Sequence, residues 1–237
     1  MDKDNKSNVH AGHRDRVRKK YLKSGLDSFA DHEVLELLLF YSNPRCDTNP
    51  IAHELIKKFG SISKVFDAGY NELITVNGVG TAAATLITLM PDIFRRYSQD
   101  KTDAVKFIKN TEAAAGFLMP QYYGVSNERA GLLFLDVKGR VNNFVFVSDG
   151  SLRFAHIDIR RVVQLALQNN ADSVILVHNH PDGIAAPSRS DIEATQAIIN
   201  ALGAIKIRVA DHIIISDREY FSMAATPKFA PLFINVL

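Results

Sequence analysis

The period of the hydrophobic pattern changes partway along the chain, and that change constrains the fold more than any other feature. From Arg14 to about Tyr97 the apolar residues recur at helical spacing, as in HEVLELLLF (32–40) and PIAHELIKKFG (50–60), with Gly60 placed as a helix stop. After the polar segment SQDKTDAVKFIKN (98–110) the pattern turns strand-like. GLLFLDV (131–137) and RVNNFVFVSDG (140–150) flank Lys138-Gly139 and should pair as an antiparallel hairpin. IRRVVQLALQNN (159–170) reads as a helix, SVILV (173–177) as a short buried strand, and DIEATQAIINALG (191–203) as a helix ending at Gly203. AIKIRVADHIIIS (204–216) reads as two further strand-like runs.

The expected organisation is therefore an all-helical domain over residues 1–100 and an α/β domain over 101–237, with a mixed sheet and packed helices. A chain of 237 residues with 46% hydrophobic content can bury one large core or two modest ones. There is no internal repeat and no low-complexity segment. The balance of 28 basic against 26 acidic residues excludes a global nucleic-acid signature, so contact with nucleic acid has to come from a local patch. The single cysteine, Cys46, can form neither an internal disulfide nor a cysteine-based zinc site, which leaves histidine and carboxylate as metal ligands. With no apolar run near the roughly 18 residues of a membrane span and no apolar leader core, the expected location is the cytoplasm.

The stretch HNHPDGIAAPSRSD (178–191) concentrates the chemistry. Side chains two apart on a strand share a face, so His178 and His180 can aim both imidazoles at one point at the end of SVILV. Open α/β sheets place their sites at that end of their strands. Pro181 and Gly183 turn the chain, and Asp191 follows at the start of the next helix. Two imidazoles and one carboxylate make a three-ligand site with a fourth position open to water, suited to Zn²⁺, with a two-histidine, one-carboxylate iron(II) centre as the alternative. Ser188-Arg189-Ser190-Asp191 also fits a helix capping box, with Ser188 as N-cap. Other motifs that share the short His-x-His do not fit. The binuclear His-x-His-x-Asp-His pattern fails at Gly183, and only 57 residues follow His180, too few for a ~250-residue barrel. Nor are the literal letters HNH the nuclease motif of that name, whose members are dispersed in sequence. Asp182 and Asp211 read as turn or strand-end residues, His212 as a buried histidine bonded to its neighbours, and His10 and His13 show no ligand spacing.

His178-Asn179-His180-Pro181, a short loop, then Ser188-Arg189-Ser190-Asp191 resembles the JAMM metalloprotease motif of JAB/MPN domains. That motif also has a glutamate just ahead of an apolar strand, and Glu128 stands there, before Arg129-Ala130-Gly131-Leu132-Leu133-Phe134-Leu135. With HNHPDG, PSRSDIEAT and ADHIIIS, nearly the whole chain from about Gly12 resembles the bacterial RadC-like proteins, in which such a domain follows a helix-hairpin-helix region. The resemblance implies a zinc-binding JAB/MPN-like mixed sheet, hydrolysis of a peptide or isopeptide bond, and a link to DNA repair. It implies that His178, His180 and Asp191 hold zinc, that Glu128 is the general base, and that the Ser188 hydroxyl assists the developing oxyanion. Two other functions stay open: a DNA-binding repair accessory with a structural metal site, and a metal-dependent nuclease. One departure is that relatives often carry His-Pro-Arg-Glu where this chain has His156-Ile157-Asp158-Ile159.

In the helical half, Leu73-Ile74-Thr75-Val76-Asn77-Gly78-Val79-Gly80-Thr81 resembles a helix-hairpin-helix, whose Gly78 and Gly80 would let backbone N–H groups approach a DNA phosphate without reading sequence. The first turns of the helix that follows carry no Lys or Arg, so its electrostatic grip should be weak, and a turn that only packs helices fits equally. More cationic is the run from Arg14 to Lys23, with Arg16, Arg18, Lys19 and Lys20 between them and Asp15 its only acid. It can neutralise phosphates or form a solvated helix face.

Overall fold

A computed structural model describes residues 8–102, 107–147, 157–181, 183–216 and 219–234. The backbone divides into two compact units, Met1–Ile93 and Phe94–Leu237.

Among its described residues the first unit has helices and no strand: α1 (Asn8–Ser24), α2 (Asp31–Ser42), α3 (Asn49–Phe59), α4 (Ile62–Asp67) and α5 (Tyr70–Leu73), then the start of α6 (Thr81–Thr102). Leu35, Leu39, Leu55, Val65, Leu73 and Ile87 meet in its core. α3 ends where the sequence places its stop, with Gly60 at φ 92° and its N–H on the Ile56 carbonyl. The α5–α6 turn needs glycine at position 78, where φ is 86° and a Cβ would lie 2.7 Å from the Ile51 side chain. The Gly78 carbonyl is held by the Asn43 side chain at 3.1 Å.

Part of the basic run is engaged in this packing. The Arg14 guanidinium caps the end of α2, donating to the carbonyls of Phe40, Asn43 and Cys46, and stacks over the Phe40 ring. Lys20 pairs with Glu33 at 3.0 Å, and Arg18 with Asp15 at 3.3 Å. Arg16, Lys19 and Lys23 are exposed, and their spacing of three and four residues puts them on one face of α1.

The second unit is built on a five-stranded sheet in the order β2-β1-β3-β4-β5. The strands are β1 (Ala130–Leu135), β2 (Val141–Phe146), β3 (Ser173–Asn179), β4 (Arg208–Ile215) and β5 (Tyr220–Ser222). Among the strand pairs of the described residues, only β3 and β4 run parallel. β1 and β2 form the expected hairpin, whose turn is tied by Asp136 accepting from the N–H groups of Lys138 and Arg140. The last residues of the 140–150 run lie outside those described.

Alternation along the strands divides the core in two. Ala130, Leu132, Phe134, Val174, Leu176 and Val209 pack against α8 (Ile159–Gln168) and α9 (Arg189–Gly203). Leu133, Leu135, Ile175, Val177, Ile213 and Ile215 pack on the opposite face against α7 (Thr111–Leu118). Burial of both faces explains why SVILV is a continuous apolar run.

The two strand-like runs expected within 204–216 are a single strand, and the next strand begins only at Tyr220. The polar step Ala210-Asp211-His212 does not interrupt β4, because a bulge carries the pairing through it. Val174 faces Val209 and Ile175 faces Asp211, which leaves Ala210 as the extra residue. Asp211 is satisfied inside the fold, accepting from the Ser222 hydroxyl at 2.6 Å and from the N–H groups of His212 and Ala224.

Candidate metal centre

β3 delivers the first two groups. His178 is the next-to-last residue of β3 and has no solvent exposure, and the last, Asn179, also buried, points to the opposite face by alternation. His180 lies one residue beyond the strand, its backbone N–H bonded to the Ile215 carbonyl at 2.7 Å. The chain turns at once, with the Gly183 N–H on the His180 carbonyl, and returns as α9. Asp182 and His156 lie outside the described residues.

Asp191 arrives on the first turn of α9 through the capping box anticipated from Ser188. Its N–H donates to Ser188 Oγ at 3.2 Å, while its Oδ2 accepts from the Ser188 N–H at 2.8 Å and the Ser188 hydroxyl at 2.6 Å. The same Oδ2 faces both imidazoles, 3.6 Å from His178 Nε2 and 3.9 Å from His180 Nε2. Capping and convergence on the histidines therefore coexist in one carboxylate: the cap fixes its direction, and the outward lone pair faces the centre.

The two Nε2 atoms lie 2.9 Å apart. The point equidistant from the three donor atoms, in their plane, is about 2 Å from each, which is the length of a Zn–N or Zn–O bond. His178, His180 and Asp191 form the one cluster of at least three His, Cys, Asp or Glu groups among the described residues able to hold a metal ion. Each imidazole engages its other nitrogen elsewhere. His180 Nδ1 bonds to the Ile184 carbonyl at 3.1 Å, and His178 Nδ1 to His212 Nε2 at 2.8 Å. That leaves the Nε2 atoms to face the centre.

The electrostatics suit a cation. Burial pushes the Asp191 carboxyl up, but the His178 imidazole beside it and the hydroxyl and N–H of Ser188 outweigh burial and hold it well below the usual carboxylate range. An ionised carboxylate between two imidazoles is the charge a divalent ion needs. Burial, with His178 beside it, drives the His212 imidazole well below its ordinary value. His13 bonds to Glu36 at 2.9 Å within the first unit.

Glu128 is placed by the β1–β3 register. The register ends with Ala130 facing His178, and the Asn179 N–H reaches the Arg129 carbonyl, so Glu128 lies two residues ahead of the strand position that faces His178. The segment that bears it is held by Asn179, the residue between the two histidines. Asn179 Nδ2 donates to the carbonyls of Val125 and Asn127 at 3.3 and 3.1 Å, and its Oδ1 accepts the Arg129 N–H at 2.7 Å. Glu128 is thus bracketed by bonds to both of its neighbours. Asn179 was missed in the sequence, where its one signal was an amide at the end of a buried strand, a position that has to find partners.

A family model described as "RadC-like JAB domain" matches residues 108–228. Another, described as "UPF0758 N-terminal", matches residues 10–85. A UPF0758 protein of Fusobacterium nucleatum subsp. nucleatum is 35% identical over 218 residues, which cover 89% of this chain and 94% of that protein. Helical first unit, mixed five-stranded sheet and sequence agree, and the chain belongs to the RadC-like JAB domain family, with a UPF0758 N-terminal region ahead of that domain.

Proposed function

We propose that the chain is a zinc-dependent hydrolase of the peptidase or isopeptidase type, with His178, His180 and Asp191 as ligands. The observation that carries this reading is the convergence of the three donor atoms on a point at zinc-bond distance; Glu128, two residues ahead of the strand position that faces His178, is its proposed base. Bound there, zinc would supply Lewis acidity toward the scissile carbonyl and lower the pKa of water to about 7. Glu128 takes the proton from the attacking water and passes one to the leaving amine. The Ser188 hydroxyl, exposed at the rim and bonded to Asp191 Oδ2, turns outward to donate to the developing oxyanion. A single metal site with a carboxylate base favours acyl over phosphodiester chemistry, where paired metals commonly hold the attacking and leaving oxygens.

The first test is metal content of protein purified without chelator, beside a His178→Ala/His180→Ala double variant. About one zinc per chain, absent from the folded variant, is expected, and a well-folded wild type that takes up no zinc refutes the reading. Hydrolysis of a peptide or isopeptide library by wild type but not by Glu128→Gln then fixes the reaction class.

The first unit is proposed to hold the chain on DNA without sequence preference, through the Gly78–Gly80 turn and the exposed face of Arg16, Lys19 and Lys23. Replacing these three by alanine should weaken binding and lower the salt slope by about 0.9 for each phosphate no longer neutralised. An unchanged slope removes this face from the interaction.

A further inference from the structure

His212 takes no part in the proposed chemistry, yet it is fully buried against the centre. Its Nε2 lies 2.8 Å from His178 Nδ1, and its Nδ1 lies 2.6 Å from the hydroxyl of Thr195, which is also fully buried. Thr195 stands one helical turn beyond Asp191 on α9 and donates to the Asp191 carbonyl at 2.6 Å. A hydroxyl has one proton. With that proton committed to Asp191, Thr195 can only accept from His212, so His212 Nδ1 carries hydrogen and Nε2 presents a lone pair. His178 Nδ1 must then be the donor between the two rings, and its Nε2 is left as a lone pair facing His180 and Asp191.

The opposite end of the chain of bonds imposes the same sense. Ligation through His178 Nε2 requires the proton on Nδ1, which again makes His212 Nε2 the acceptor. The bonds also close a ring: they run from one ligand, His178 on β3, through His212 on β4 and Thr195, back to the residue that carries another, Asp191 on α9. The bulge at Ala210 makes this closure possible. In unbroken alternation from Val209, His212 would point toward α7, and the extra residue turns it to the α9 side.

Resting on the metal reading above, we propose that His212 and Thr195 are positioning residues that hold His178 in the tautomer and ring orientation needed for ligation. Zinc-loaded, ¹⁵N-labelled full-length protein should show His212 as the Nδ1–H tautomer in long-range ¹H–¹⁵N correlations, and an Nε2–H tautomer overturns the proposal. Chelator competition should show zinc held about 10- to 100-fold more weakly by Thr195→Val, while Thr195→Ser, which keeps the hydroxyl, stays within about threefold of wild type. The visible bands of Co²⁺-substituted Thr195→Val should shift from those of wild type. A folded Thr195→Val with wild-type zinc affinity and an unshifted cobalt spectrum overturns the relay alone, whereas a wild type that binds no zinc overturns the metal reading and the relay with it. If Thr195→Val does not fold, the tautomer of wild-type His212 decides.

Discussion

Replacing Asn179 by alanine should release the segment that carries Glu128 without touching a ligand. Three side-chain hydrogen bonds disappear, two from Nδ2 to the Val125 and Asn127 carbonyls and one from the Arg129 N–H to Oδ1. At about 1 kcal/mol net for each bond, local opening of this segment becomes easier by about 3 kcal/mol. Since 1.4 kcal/mol is a factor of ten, amide exchange at Arg129 should accelerate by about two orders of magnitude. The assay is residue-resolved hydrogen exchange on wild type and variant under conditions where both stay folded, with zinc affinity as the control. Exchange should rise across 125–129 and stay unchanged in β4, and zinc affinity should be retained because the alanine leaves both imidazoles in place. Asn179→Asp sharpens the test. It keeps the acceptor for Arg129 but sets a carboxylate oxygen against two carbonyls, so it should be at least as disruptive as alanine. Arg129 exchange within threefold of wild type in both variants would refute the assignment of Asn179 as the clamp on the Glu128 segment.

Glu128→Gln should keep zinc and lose at least about 100-fold in turnover, the usual worth of a general base, measured on whichever peptide substrate wild type cleaves. Ser188→Ala removes both the helix cap and a donor to Asp191, and should lower unfolding free energy by about 1 kcal/mol or more in a urea titration. A change under a few tenths would mean that the cap is not formed in solution. In metal-free protein, the folded-state pKa of His212 is depressed by burial, so below about 6.5 the unfolded chain takes up a proton that the folded chain refuses. Stability should therefore decline as pH falls from 6.5 toward the folded value, at up to about 1.4 kcal/mol per pH unit, and His212→Gln should flatten the decline. An identical slope in the variant would show that His212 does not stay neutral in the fold.

Much of the centre was legible because its signals are local. Two histidines at strand spacing, a turn, and Ser-x-x-Asp before a periodic helix each follow from short-range geometry, and that geometry brings the three donors together. The capping reading of Ser188 and Asp191 competes with the ligand reading only in sequence, because there the carboxylate has no direction. In the fold one oxygen accepts the cap and faces the imidazoles at once. Likewise the cationic run could be counted but not apportioned, since the partners of Arg14 lie 26 to 32 residues away at the end of α2.

Sequence alone determined most of the helices and strands (though not α7 or β5), where the chain changes from one pattern to the other, and which residue types cluster around His178, because period and spacing are properties of neighbours along the chain. Only the tertiary structure decided that β4 runs through Asp211 and His212 as a single strand, that a bulge at Ala210 turns His212 toward His178, and that Asn179 holds the Glu128 segment. Register across strands and the partner of a buried polar group depend on what lies opposite, tens of residues away, and no local period records that.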